Sequence, residues 1–275
     1  MRAVFAVAVL FAGASAAQEL RIVSPALRQY DGGPVMTAGQ TLGPGETVFF
    51  SFRVGGFKVS PESRVDLHWS IDVLDSDGVK LVETMEKDIR TDLSAEDKEW
   101  MPIVRQSFMI PPIVLPGQYK LIAKVNDRLA AKDAAEEITL TVRGRTVEPS
   151  DKLVARNFRF VHSEEDPVAM REPVFRQGDT VWARFEMTGY KFGDSNRIDV
   201  SYNIAIANSE GKVLFEQPGT ATEQRESFYP QKYVPGVVSV TTQKNTPAGE
   251  YFLVLRLKDA VGNQTAEERH AFRLE

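Results

Sequence analysis

Few side chains in this 275-residue chain have the types and spacing for chemistry: three histidines, scattered aspartates, and one loop rich in aromatic rings. His68 alternates with an apolar row and so faces outward. His162 follows a strand beside Glu164, Glu165 and Asp166, and His270 sits at a strand's edge. Residues so far apart, in different strands, do not make a shared metal site or a Ser-His-Asp arrangement. Asp72, Asp75 and Asp77 have oxygen-ligand character, but the alternate-acid loop ending in a glutamate that calcium favours is missing, so a hairpin turn is the expected role. Asp127 and Asp259 each end a strand, where an aspartate bonds to the next backbone amides as an Asx turn. Lys58, Arg64 and Asp66 recur as Lys191, Arg197 and Asp199. They suit a cross-strand ion pair or a polar ligand strip. With no cysteine in the sequence, thiol catalysis and Cys-ligated metals are excluded.

Gly193-Asp-Ser-Asn196 resembles the Gly-Asp-Ser of some esterases, but the late Asp-x-x-His of such enzymes is missing. The matching stretch, Ser60-Pro-Glu-Ser63, is a turn, so Ser195 is expected in a turn as well. Aromatics outside the alternating rows are the better pointer. Phe228, Tyr229 and Tyr233 lie within six residues, and Trp100 takes the place of Tyr233 in the other half of the chain. Rings on loops stack on sugars or anchor a protein partner, or they plug the open end of a sheet sandwich. Phe228, Tyr229, Tyr233 and Trp100 are the candidate binding residues. No catalytic residue, cofactor or metal is expected.

The elements that must position these residues are written twice. Gly45–Glu83 realigns without a gap on Gly178–Glu216, a shift of 133 positions, with about a third of the residues identical. Each copy is long enough for a core of its own. Val48, Phe50, Phe52 and Val54 alternate with other residues, as do Val181, Ala183, Phe185 and Met187. Val65, Leu67, Trp69, Ile71 and Val73 match Ile198, Val200, Tyr202, Ile204 and Ile206 in the same way. Further inward rows run over Tyr119, Leu121, Ala123 and Val125, and over Tyr251, Leu253, Leu255 and Leu257. Ile138, Leu140 and Val142, then His270, Phe272 and Leu274, mark the last strand of each copy. A period of two with one wet face predicts antiparallel sheet packed on one side. Asp75–Gly78 and Asn208–Gly211 predict hairpin turns. A short helical piece is predicted over Ser94–Trp100. The link Arg143–Asp151 is short and polar, which predicts limited motion between the copies.

About seven short strands per copy predict an all-β chain of two consecutive β-sandwiches. Trp69 lies where immunoglobulin-like domains keep a buried tryptophan, with Tyr202 in its place in copy two. Gly-x-Tyr-x-Leu at 117–121 and 249–253 looks like the tyrosine corner of those domains. The chain is similar to bacterial immunoglobulin-like or fibronectin-III-like repeats. That resemblance implies two immunoglobulin-like antiparallel β-sandwich domains, over residues 18–145 and 150–275, serving as a scaffold or binding module. A fold alone does not fix function.

The N-terminus reads as an export signal over residues 1–17: Arg2, an apolar stretch of about 12 residues, then small residues before the cleavage point. That stretch is too short for a bilayer anchor. A periplasmic or extracellular protein is expected, with no membrane span after cleavage. Net charge is −5 with the signs interleaved, unlike the concentrated basic surface that nucleic acid requires. The expected partner is a protein or glycan of the cell envelope. An exported non-catalytic binding or scaffold protein is the leading expectation. A carbohydrate-binding module using the loop aromatics of the second copy is its alternative.

Overall fold

The computed structural model describes residues 19–94, 96–97, 99–217 and 219–275. The export segment expected over 1–17 lies outside the described residues. Within them the regular structure is sixteen strands and a single three-residue turn of 3-10 helix at Asp194–Asn196.

The first half contains β1 (Arg21–Arg28), β2 (Thr47–Gly55), β3 (Arg64–Leu74), β4 (Met85–Asp92), β5 (Ile103–Met109), β6 (Gly117–Asp127) and β7 (Lys132–Val142). They form two antiparallel sheets, ordered β1-β2-β5 and β4-β3-β6-β7. The second half contains β8 (Val154–Val161), β9 (Val174–Phe175), β10 (Thr180–Thr188), β11 (Ile198–Asn208), β12 (Val213–Glu216), β13 (Ala221–Arg225), β14 (Val234–Thr241), β15 (Gly249–Asp259) and β16 (Gln264–Leu274). Its sheets are β14-β10-β8 and β12-β11-β15-β16-β9, with β13 also paired to β11. The counterpart of β4 in the second half is β13, while β12 falls on residues 80–83, which in the first half make only the Leu74–Lys80 bridge.

The alternating rows face the cores as their period requires. Val48, Phe50, Phe52 and Val54 are buried with Val65, Leu67, Trp69, Ile71 and Val73 in one cluster. Val181, Ala183, Phe185 and Met187 are buried with Ile198, Val200 and Ile204 in another. Tyr202 is only half-buried; its ring meets Phe185 edge-on at 5.1 Å and its hydroxyl donates to the Val237 carbonyl at 3.3 Å. Three ties recur in both halves. Tyr119 donates to the Leu115 carbonyl and Tyr251 to the Pro247 carbonyl, each at 2.8 Å, four residues upstream. This is the tyrosine-corner bond. Leu42 bridges Val142 in parallel fashion, as β9 does β16 at Phe175 and Leu274.

The third tie is the strand-ending aspartate. Buried Asp127 accepts from the backbone N–H of Leu129 (3.0 Å), Ala130 (3.1 Å) and, across the sandwich, Lys58 (2.7 Å). Asp259 accepts from Gly262 N–H (3.0 Å), Lys191 N–H (2.9 Å) and Gln264 (3.0 Å). A buried carboxylate is tolerable because several donors replace its lost water. The Asx turns read from sequence are therefore also clamps on the loop after β2 and β10.

Some expectations need correction. Within Ser94–Trp100 Asp97 accepts from Ser94 N–H at 2.8 Å, and no helix runs through the described residues. In the first half, Asp75–Gly78 leads to a single bridge, Leu74 with Lys80, instead of a short strand. The cross-strand ion pairs expected at Arg64 and Asp66 run to Asp92 and Arg90 on β4, whereas Lys58 has no such pair among the described residues and donates to the Leu129 carbonyl at 3.3 Å. In the second half, Arg197 and Asp199 approach only to 3.9 Å. Phe52 pairs with Val104 and Phe185 with Gly236, so the offset between the copies, 133 at β2, has become 132 by β5.

Candidate functional site

The side chains that the structure draws together sit where the two halves meet, at the aromatic loop between β13 and β14. That loop is held tightly to its own half. Asn196 donates to the carbonyls of Ser227 (3.2 Å) and Phe228 (2.7 Å), and Ser227 donates to the Tyr229 carbonyl at 2.8 Å. Tyr190 donates to the Gln231 carbonyl, and Thr188 to that of Lys232 at 3.0 Å. So braced, Tyr229 turns away from its own sandwich. Its ring, 4% exposed, belongs to the core of the first half.

There the Tyr229 hydroxyl donates to Asp75 at 2.9 Å. Asp75 is fixed in its turn by the N–H groups of Asp77 and Val79, both at 2.9 Å. Lys232 closes the ring of charges, 3.4 Å from Asp75 and 2.5 Å from Asp77. Burial works to raise the Asp75 carboxyl, but the Val79 N–H, the Tyr229 hydroxyl and the Lys232 charge outweigh it and hold it below its ordinary value. Burial pushes the Tyr229 hydroxyl well up, so it stays a donor across the physiological range.

The linker is itself tied down along the second half. Arg145 meets buried Glu186 at 2.7 Å, Asn157 donates to the Thr146 carbonyl at 3.1 Å, and Val147 is buried. Gly189 sits at φ +79°, and a Cβ there would lie 2.0 Å from the Lys152 carbonyl oxygen, so only glycine lets the linker pass. A linker expected to be polar is thus strapped along the second half by one apolar residue and an ion pair.

The four candidate binding residues do not form one patch. Tyr229 is the plug just described. Tyr233 is 9% exposed at the entry to β14, whereas Phe228 is 50% exposed. Trp100 is half-buried against the first core, edge-on to Phe57 at 5.8 Å, beside a surface cavity of about 400 Å³ that includes Val59, Leu93 and Met101. Buried Tyr229 and Tyr233 have no ring face to offer a sugar. Sequence pattern assigns a side chain to the inside or outside of its own sheet, and it missed that Tyr229 would enter the other core. The one signal was divergence at a matched position: Asp75 against Asn208.

The remaining polar residues are accounted for locally. His68 lies 2.9 Å from Asp88 and 3.7 Å from Glu86. The Asp88 carboxyl is lowered to about 2 by hydrogen bonds from Arg128 and His68. His162 is exposed, and His270 stacks on Phe158 with centroids 3.4 Å apart, its Nε2 3.4 Å from Glu268. Ser195, at φ +54°, lies in a turn closed by Arg197 N–H on the Asp194 carbonyl. Among the described residues no three His, Asp or Glu side chains converge as metal ligands.

No protein-family model matches the chain, and no curated protein matches its sequence. Among solved structures it is similar to the C-terminal domain of the Streptococcus pyogenes antigen I/II-family protein AspA. The identity is 11% and the TM-score 0.36, over 92% of this chain and 99% of that one. The C-terminal domain of the Streptococcus agalactiae AgI/II polypeptide BspA gives 12% and 0.31, over 90% and 99%. A Pseudomonas fluorescens alkylpurine DNA glycosylase, AlkC, gives 14% and 0.29 over 46% of this chain and 31% of its own. At such scores none of these likenesses bears on what this chain does.

Proposed function

We propose that this chain is an exported, non-catalytic binding or scaffold protein that contacts a protein or glycan of the cell envelope or the extracellular space. In this reading residues 1–17 are removed on export, and 18–145 and 150–275 are tandem immunoglobulin-like domains. The strand order supports the fibronectin-III-like variant, because β4 joins the β3-β6-β7 sheet and not the β5 edge. One observation carries the functional reading: the buried Tyr229–Asp75–Lys232 contact fixes one sandwich on the other. A scaffold that presents surfaces at set positions needs such a fixed junction, and flexible domains joined by a loose linker would not supply it.

The test is binding of the purified mature chain to envelope proteins and to a glycan array, beside an assay for hydrolytic turnover. Saturable binding without turnover is expected. Turnover abolished by mutating a single polar residue would overturn the reading.

A glycan partner has a specific observation of its own, though not at the loop aromatics. A cleft of about 500 Å³ in the second half brings Trp182 and Tyr202 together with Asn203, Gln217 and Glu164. Rings beside amides and an acid suit a sugar's apolar face and its hydroxyls. Trp182→Ala should abolish any glycan binding if that cleft is the site, and unchanged affinity would remove it.

A further inference from the structure

The end of the first sandwich that takes Tyr229 has an exact counterpart in position, but not in packing, in the second. In the first half, Leu81, Ile110 and Val114 are almost wholly buried around Tyr119 and the Tyr229 ring. The matching positions in the second half hold Leu214, Thr242 and Thr246 around Tyr251. Leu81 is 1% exposed; Leu214 is 51% exposed, and its neighbours Val213 and Phe215 are open as well. An apolar cleft of about 280 Å³ lies there, lined by Ile206, Leu214, Phe215, Val240, Tyr251 and Phe272. Beside it, β12 is an edge strand that among the described residues pairs only with β11, which leaves its outer backbone groups open to another strand.

We propose that this open end docks an extended segment of a separate polypeptide, one carrying an aromatic ring and, three residues on, a lysine or arginine. The occupant's chemistry comes from the interface already built at the other sandwich end. There Tyr229 fills the equivalent space and Lys232, three residues later, meets Asp77. Glu210 stands at the position of Asp77 and keeps the acidic rim for such a cation. Asn208 replaces Asp75 and already accepts from Lys212 N–H at 2.9 Å, which leaves its amide to donate to a ring hydroxyl.

A second copy of this chain is the wrong occupant. The matching loop of its first half, between β4 and β5, carries Glu96, Asp97 and Glu99 against one lysine, and its one ring, Trp100, has Ile103 three residues on, so head-to-tail stacking would set a net acidic loop against Glu210. The segment must come from another protein. This assignment rests on the binding reading above and adds a site and a partner class to it.

The probe is a synthetic peptide of residues 226–234 of this chain, titrated into the intact mature protein. Saturable binding is expected, weakened about tenfold or more by Phe215→Glu or Leu214→Glu in the protein, by Glu210→Lys, and by alanine at the peptide's tyrosine. Both Leu214 and Phe215 are exposed, so their variants should melt with the wild type, and this is checked in parallel. Absence of binding at about 1 mM peptide, or binding that ignores Phe215→Glu, overturns the proposal. Self-association that Phe215→Glu abolishes would also overturn it, in favour of a second copy. If capture of envelope components by the intact chain survives Phe215→Glu unchanged, the site assignment fails while the binding reading stands. If the wild-type chain captures none, the binding reading itself fails, and this assignment with it.

Discussion

The two halves share their strand rows, tyrosine corners and buried aspartate clamps, yet one sandwich is sealed at the end where the other is open. In the first half Leu81 and Tyr229 complete the core; in the second the matching leucine lies on the surface beside a cleft. The contrast shows that duplication preserved what each sandwich needs to fold and let its ends diverge. One end became an internal joint. The other kept its apolar lining without an internal cover, and buried apolar surface is what the joint gains from its ring.

The largest expected effect probes the shared part. Trp69→Ala should destabilise the first half by about 3–5 kcal/mol, as removal of a buried aromatic does, when unfolding is followed in denaturant. Tyr202→Ala, at the half-buried counterpart, should cost less. Equal losses would break the claim that the two cores differ in how fully they are packed.

The next effect sharpens the joint. Tyr229→Phe keeps the ring but strands the Asp75 carboxylate without its hydroxyl donor, a loss of about 1–3 kcal/mol. Asp75 also sets an acid limit. Its carboxyl in the folded chain lies below its ordinary 3.8. Its contribution is therefore complete above pH 3.8 and is lost as pH falls through the lower folded value. Melting temperature measured from neutral pH downward should show this fall, and Asp75→Asn should flatten it while lowering stability at neutral pH. An unchanged acid profile in Asp75→Asn would place the sensitivity elsewhere.

The smallest effect tests the faces. His68→Ala, next to Trp69, should shift stability by no more than about 1 kcal/mol, because its contacts with Asp88 and Glu86 are solvent-screened. A loss as large as that of Trp69→Ala would mean inward and outward faces are exchanged.

Much of this was legible in the residues. Alternation at a period of two placed every row from Val48 to Leu257 on its sheet, and the strand-ending Asp127 and Asp259 declared their amide bonds. The joint was not legible, because a pattern local to one strand carries no information about a ring that crosses into another core. Nor was the open end. Leu81 and Leu214 are the same residue in the same Gly-x-x-Leu setting, and their fates differ because Ile110 and Val114 are replaced by Thr242 and Thr246 more than twenty-five residues away. The capping bond read from Ser94 and Asp97 is present, Asp97 accepting from Ser94 N–H at 2.8 Å, but no helix follows it among the described residues.

The most direct test of the contrast is a pair of matched substitutions, Leu81→Ala and Leu214→Ala, compared by equilibrium unfolding of the intact mature chain. A sealed end and an open end predict a loss of about 2–5 kcal/mol for the first and under about 0.5 kcal/mol for the second. Equal losses at both positions would contradict it.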